Sequence, residues 1–251
     1  MTGDPRKHRR KPRWDRSIGR PEPIRALEKI FERENFEPLV NISQLHPKIS
    51  MGRPHTIPWA RQQVAERLYR VAEAMPEDIE LVVTEAWRPI ERQQRIYDWF
   101  MRGARETFPD APASTHRRLV NRFCAPPDSK APPGHCTGGA VDVLLADSQG
   151  QLIDLSAPFD RFSAAPTFTF GLAPEAQKHR MLLYENLVAQ GFSNCRDEYW
   201  HYSFGDAGWA VRLGLDECIY GLIPLDPEHY LHLESLHADF INARPNPFPP
   251  S

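Results

Sequence analysis

His135, Asp142 and His201 lie in the segments PPGHCTGGAVDV and EYWHYSF, and together they have the composition of an open catalytic zinc site. Zinc accepts imidazole nitrogen and carboxylate oxygen, and three protein ligands leave a fourth position for the water that a hydrolase activates. Glu198, three residues before His201, is a candidate base. A histidine on its own is more often a hydrogen-bonded structural residue, so the metal reading rests on the ordered set. His46, His55, His116, His179, His229, His232 and His237 fit no ligand spacing, and surface or structural roles are expected for them.

The elements around these residues must bring them together. Residues 140–146 (AVDVLLA) read as a strand entered through Gly138 and Gly139. Alternation turns Val141, Val143 and Leu145 to one face and Asp142 to the other. An odd interval separates His135 from Asp142, which would send them to opposite faces of one strand, so the glycine pair is expected to fold His135 back on a turn. Residues 199–204 read as a second strand with His201 on its more polar face. Glu198 cannot share that face in an ideal strand, so a bend or bulge is expected there. Residues 79–87 (IELVVTEAW) favour a third strand, and Pro89 opens a helix over 90–101, which places Arg88 at the junction. Helices are also expected over 58–75 and 175–190, the latter closed by Gly191, with shorter ones at 116–123 and 207–215. Strands and helices in no regular alternation favour an α+β fold: a small antiparallel sheet flanked by helices, with the metal on its open face.

One catalytic domain is expected over 21–245, with the proline-rich stretch 103–133 as an insertion or lid and 246–251 as a flexible tail. The formal charge of -2, from 31 basic and 33 acidic side chains, provides no general field for nucleic acid. The basic excess lies at the front, where RKHRRKPRWDRSIGR over 6–20 reads as part of a poorly ordered arm spanning 1–20. No run approaches the roughly 18 apolar residues of a membrane-spanning helix, and no signal-peptide core is present, so a cytoplasmic location is expected. Cys124, Cys136, Cys195 and Cys218 match neither a zinc knuckle nor a redox pair, and free buried thiols are expected. Cys136 touches His135 in sequence and is weighed as a further metal donor.

PPGHCTGGAVDV resembles the SxHxxGxAxD metal motif, and EYWHYSF the E-[WY]-W-H motif, of the VanX-type D-alanyl-D-alanine dipeptidases among the LAS zinc peptidases. EAWRP at 85–89 is similar to that family's strand-ending Arg-Pro segment, and LIDLSAPFD at 152–160 to its DMGTPFD block. The resemblance implies one zinc per chain held by His135, Asp142 and His201, Glu198 as the catalytic base, and Arg88 assisting at the reacting carbonyl. Pro133 stands where the motif usually has Ser, and Ser156 with Ala157 replace Gly-Thr. These departures bear on substrate contacts or loop shape more than on the metal. A free dipeptide presents an ammonium that needs an anion, with Asp160 the first candidate and Glu85 the second. The expected activity is hydrolysis of D-Ala-D-Ala or a related small D,D-dipeptide. The alternatives are a D,D-carboxypeptidase acting on peptidoglycan stem peptides and a non-catalytic zinc-stabilised binding module.

Overall fold

The run IELVVTE, rich in β-branched and apolar residues, forms an inner strand of the main sheet. The structure, a computed structural model, describes residues 12–248. In chain order its strands are β1 (Arg13–Trp14), β2 (Phe31–Glu32), β3 (Leu39–Asn41), β4 (Ile49–Met51), β5 (Trp59–Arg61), β6 (Ile79–Glu85), β7 (Ala140–Asp147), β8 (Thr169–Phe170), β9 (Ser193–Asn194), β10 (His201–Ser203) and β11 (Glu217–Cys218). The helices are α1 (Ile24–Leu27), α2 (Gln62–Ala74), α3 (Ile90–Thr107), α4 (Ala113–Val120), α5 (Pro174–Ala189), α6 (Ala207–Leu213) and α7 (Leu231–Ala243).

The main sheet runs β4-β6-β7-β10-β9, and three two-stranded ribbons surround it. The expected α+β class holds. The sheet is antiparallel from β6 through β9, but β4 joins β6 in parallel. The connection from β4 to β6 passes through β5 and α2, a crossover long enough for parallel pairing. Val141, Val143 and Leu145 of β7 are fully buried and share one core with Val64, Leu68 and Val71 of α2 and with Leu183 and Leu187 of α5. Asp142 is only partly buried, as the alternation predicts.

Several expected boundaries move. Trp59, expected in the first long helix, lies in β5, and that helix starts at Gln62. The helix after Pro89 runs on to Thr107, and within the proline-rich stretch α4 packs on it through Val120 and Cys124 against Tyr97, Met101 and Ala104. The strand expected over 199–204 is only His201–Ser203. Part of the expected disordered arm is ordered, because Arg13 and Trp14 pair with Phe170 and Thr169. The expected tail is anchored in part, since Asn246 donates to the Gly103 carbonyl at 3.2 Å and the Phe248 ring lies 5.9 Å from Phe100. Residues 1–11 and 249–251 lie outside the described residues. No described helix is long and apolar enough to cross a membrane.

Arg180 of α5 is fully buried and acts as a clamp. It donates to the carbonyls of Leu155, Ala164, Pro166 and Thr167, and its guanidinium lies 4.0 Å over the Tyr199 ring. The Thr169 hydroxyl also donates to the Ala164 and Pro166 carbonyls, and a buried carbonyl left without any donor costs about 1–3 kcal/mol. The loop before β8 is thereby fixed against the turn that carries Glu198.

Helix α7 was not expected from the sequence. Its Glu234 accepts from Arg92 at 2.5 Å and Arg95 at 2.8 Å, and its His237 ring lies 5.3 Å from that of His55. Both imidazoles are buried, at 4% and 2% exposure for His55 and His237. Burial, reinforced by Arg53, Arg92 and Arg244 and opposed by Glu85, lowers His55 to about 4. Burial, reinforced by Arg92, His55 and Arg88 and opposed by Glu85, lowers His237 to about 3. An unfolded imidazole titrates near 6.5, so the unfolded chain takes up protons that the native one refuses. This contribution to stability is whole above that value and is lost as the pH falls toward the native ones. These two imidazoles are expected to contribute about 2 kcal/mol less to the unfolding free energy at pH 5 than at pH 7.5, a figure already reduced for solvent screening near His55, while the raised carboxyl of Glu198 works in the opposite direction. Urea denaturation of the wild type and of a His55→Gln/His237→Gln variant at the two pH values isolates it, and the same pH dependence in both proteins would contradict neutral buried imidazoles.

Candidate metal centre

Residue parity in β7 turns Asp142 away from the helix-packed core, and β10 places His201 directly across from it in the antiparallel pair. His201 Nδ1 lies 3.0 Å from Asp142 Oδ1. On the other flank, a register irregularity between Val83 and Glu85 sets Glu85 opposite Asp142. This bulge in β6 was not expected, while the bend expected at Glu198 is the turn that precedes β10.

His135 reaches the same point from a 3-10 turn, Gly134–Thr137, that ends at Gly138 with φ of 72°. That left-handed conformation is natural to glycine, and a Cβ on Gly139 would meet the Phe204 carbonyl at 2.7 Å. The glycine pair folds His135 back beside β7, as the sequence suggested. His135 Nδ1 is 2.9 Å from the Ala86 carbonyl, an acceptor, so Nδ1 is the donor there and Nε2 is the ring nitrogen that can face a metal. That Nε2 lies 3.3 Å from Asp142 Oδ1, and the two imidazole rings sit 4.9 Å apart, nearly perpendicular.

One donor atom from each of the three residues falls within 4.8 Å of the others. Ligands about 2.0–2.1 Å from one tetrahedral ion stand roughly 3.3 Å apart, close to the spacings from Asp142. Two imidazole nitrogens and a carboxylate oxygen directed at one point therefore suit a borderline-soft divalent cation. Burial pushes the Asp142 carboxyl up, but His135 and His201 outweigh it and hold it ionised, well below the usual carboxylate range. Cys136 is buried and is not among the grouped donors.

Glu198 sits in the turn between β9 and β10, where its N–H donates to the Cys195 carbonyl and its carbonyl accepts from His201 N–H, both at 3.1 Å. Burial, then the charges of Asp142 and Glu22, raise its carboxyl to about 8, with Arg161 and Arg88 opposing. A carboxyl near neutrality can both take and return a proton.

Arg88 lies between β6 and α3. Its backbone N–H donates to the His135 carbonyl at 3.1 Å, Nη1 donates to Gln93 Oε1 at 2.5 Å, and Nη2 is 3.4 Å from Glu85 Oε2. Burial opposes its charge, but Glu85 outweighs this and keeps the guanidinium protonated. Its Nε and Glu85 Oε1 are buried without hydrogen-bond partners. Glu85 also lies 3.9 Å from Arg92, the residue that α7 grips through Glu234. Asp160 is exposed, and its carboxylate accepts from the N–H groups of Phe162 and Ser163. The structure thus gathers His135, Asp142 and His201 around one point, with Glu85, Glu198 and Arg88 close enough to exchange charge effects with that group.

Two supporting residues were missed. Gln93 orients Arg88 and was read only as a polar residue at the start of a helix. Arg161, whose guanidinium lies 4.3 Å over the Trp200 ring, follows the Asp160 block and was passed over because no motif position covers it.

A mixed sheet that sets two imidazoles and a carboxylate around one point, with a second carboxylate in the adjoining turn, is the framework of a mononuclear metallohydrolase. The Peptidase_M15 family, described as D-ala-D-ala dipeptidase, matches residues 58–218. The chain belongs to this family. It is 29% identical over 152 residues to a D-alanyl-D-alanine dipeptidase of Synechocystis, covering 52% of this chain and 62% of that protein. It is 31% identical over 74 residues to the D-alanyl-D-alanine dipeptidase of Escherichia coli, covering 29% of this chain and 38% of that one. The matches thus span less than two thirds of either relative. Among solved structures, a zinc-bound mutant of the vancomycin-resistance D,D-pentapeptidase VanY has a TM-score of 0.42 at 17% identity, over 76% of this chain and 96% of that one. VanYB in complex with D-alanine-D-alanine has a TM-score of 0.44 at 16% identity, over 92% and 97%.

Proposed function

We propose that this protein is a zinc-dependent D,D-dipeptidase that hydrolyses D-Ala-D-Ala or a related small D,D-dipeptide. The observation that carries the reading is the convergence of His135, Asp142 and His201 within 4.8 Å, in a chain whose residues 58–218 match the D-ala-D-ala dipeptidase family. Bound zinc supplies Lewis acidity to the scissile carbonyl and acidifies water. Glu198 takes the proton of the attacking water and returns it to the leaving amine nitrogen. Arg88, held by Glu85 and Gln93, directs its donors at the oxygen on which negative charge develops. Asp160 is assigned to the substrate ammonium, with Glu85 the second candidate.

Purified protein assayed against D,D-, L,D- and L,L-dipeptides and a D-Ala-D-Ala-terminated pentapeptide tests the reading. Hydrolysis of the free D,D-dipeptide, lost with chelator and restored by zinc, is the expected outcome. Faster cleavage of the pentapeptide would identify a carboxypeptidase, and turnover undiminished by chelation would exclude the metal mechanism.

A further inference from the structure

The surroundings of the metal centre are rich in acid. Asp142 is one of its donors and Glu85 stands opposite Asp142 in the sheet, while the substrate of the proposed reaction carries a carboxylate of its own on the leaving residue. A carboxylate bound there calls for a donor that is not already engaged. Most nearby arginines are engaged. Arg88 is held by Glu85 and Gln93, Arg92 by Glu234, Arg212 by Glu22, and Arg180 by backbone carbonyls. The segment leading into His135 brings Pro132 and Pro133, which have no N–H to offer an anion.

Arg161 differs from these. Its guanidinium lies 4.3 Å over the Trp200 ring, immediately before the ligand His201, and Phe162 packs edge-on against the same ring at 6.5 Å. Its Nε is buried without a hydrogen-bond partner, and among the described residues no carboxylate pairs with it. Stacking fixes the plane of a guanidinium while leaving its in-plane donors free, and two parallel donors match a carboxylate. Trp200 stands in the turn between Glu198 and His201, so the guanidinium on its face lies beside the segment that carries both. Arg53 adds a second positive charge without an acidic partner among the described residues. It lines a cavity of about 590 Å³ with Met51, Thr56 and Trp59, none of whose lining residues is acidic.

We propose that Arg161, stacked on Trp200 and reinforced by the charge of Arg53, receives the free carboxylate of the substrate and so determines the preference for D,D-peptides with an unblocked C-terminus. This rests on the dipeptidase reading but does not need turnover to be tested. The probes are the phosphinate analogue of D-Ala-D-Ala and its C-terminal amide, titrated by calorimetry into zinc-loaded wild type, Arg161→Ala and Arg161→Lys. Zinc content and circular dichroism serve as controls for folding. The wild type is expected to bind the acid about 100-fold more tightly than the amide. Arg161→Ala should reduce that ratio to within about threefold of unity by weakening the acid alone, and Arg161→Lys should restore part of it. A wild type without acid preference, or an Arg161→Ala variant that keeps it, overturns the proposal. Hydrolysis of D-Ala-D-Ala is scored separately. A wild type that discriminates acid from amide but cleaves no dipeptide removes the dipeptidase reading and leaves the carboxylate site in place.

Discussion

Glu198→Ala retains its metal and loses about 10³-fold in kcat, within the range for removal of a general base. The expectation follows from position and environment together. Glu198 is held in the β9–β10 turn by hydrogen bonds of its main chain, so truncating the side chain leaves the turn and the placement of His201 intact. Its carboxyl is raised to about 8 by burial and by Asp142 and Glu22, which suits it to proton transfer rather than to a structural ion pair. Glu198→Gln should behave alike, because an amide of the same shape cannot accept the proton. Steady-state kinetics with zinc content measured on the same samples decides the matter. Full activity in either variant removes Glu198 from the mechanism.

His201→Ala has the converse phenotype. The variant should lose most of its bound metal, and hydrolysis with it, because one of three donors disappears and Asp142 loses the imidazole 3.0 Å away that helps to keep it ionised. Elemental analysis after dialysis reads the result, and an unchanged metal-to-protein ratio would reject His201 as a ligand. The two variants discriminate between roles: one leaves metal without chemistry, the other leaves neither.

The donor set was legible because two short segments carry all of it, and because strand parity alone turns Asp142 and His201 out of the core. The Gly138–Gly139 pair likewise announced the turn that returns His135. What the sequence hid depends on pairing between distant segments. Residues 49–51 are too short to register as a strand until β6 supplies a partner, and the bulge that sets Glu85 opposite Asp142 appears only in the ladder. Helix α7 was overlooked although Leu231–Ala243 contains no proline or glycine. Its buried His237 broke the apolar pattern, and only the neighbouring His55 and Phe240 rings make that position intelligible. Arg161 escaped because a cation in a loop has no sequence signature; its partner is the face of Trp200.

The cysteines carry a last consequence. All four are free, and Cys124, Cys136 and Cys218 are buried. Burial raises the Cys124 and Cys136 thiols to about 12 and that of Cys218 to about 11, and it raises Cys195 well above the ordinary thiol range. Since the thiolate is the reactive species, the folded chain offers almost nothing to an oxidant or an alkylating reagent. No covalent crosslink holds these elements together, so the architecture around the metal donors is indifferent to the redox potential of its surroundings.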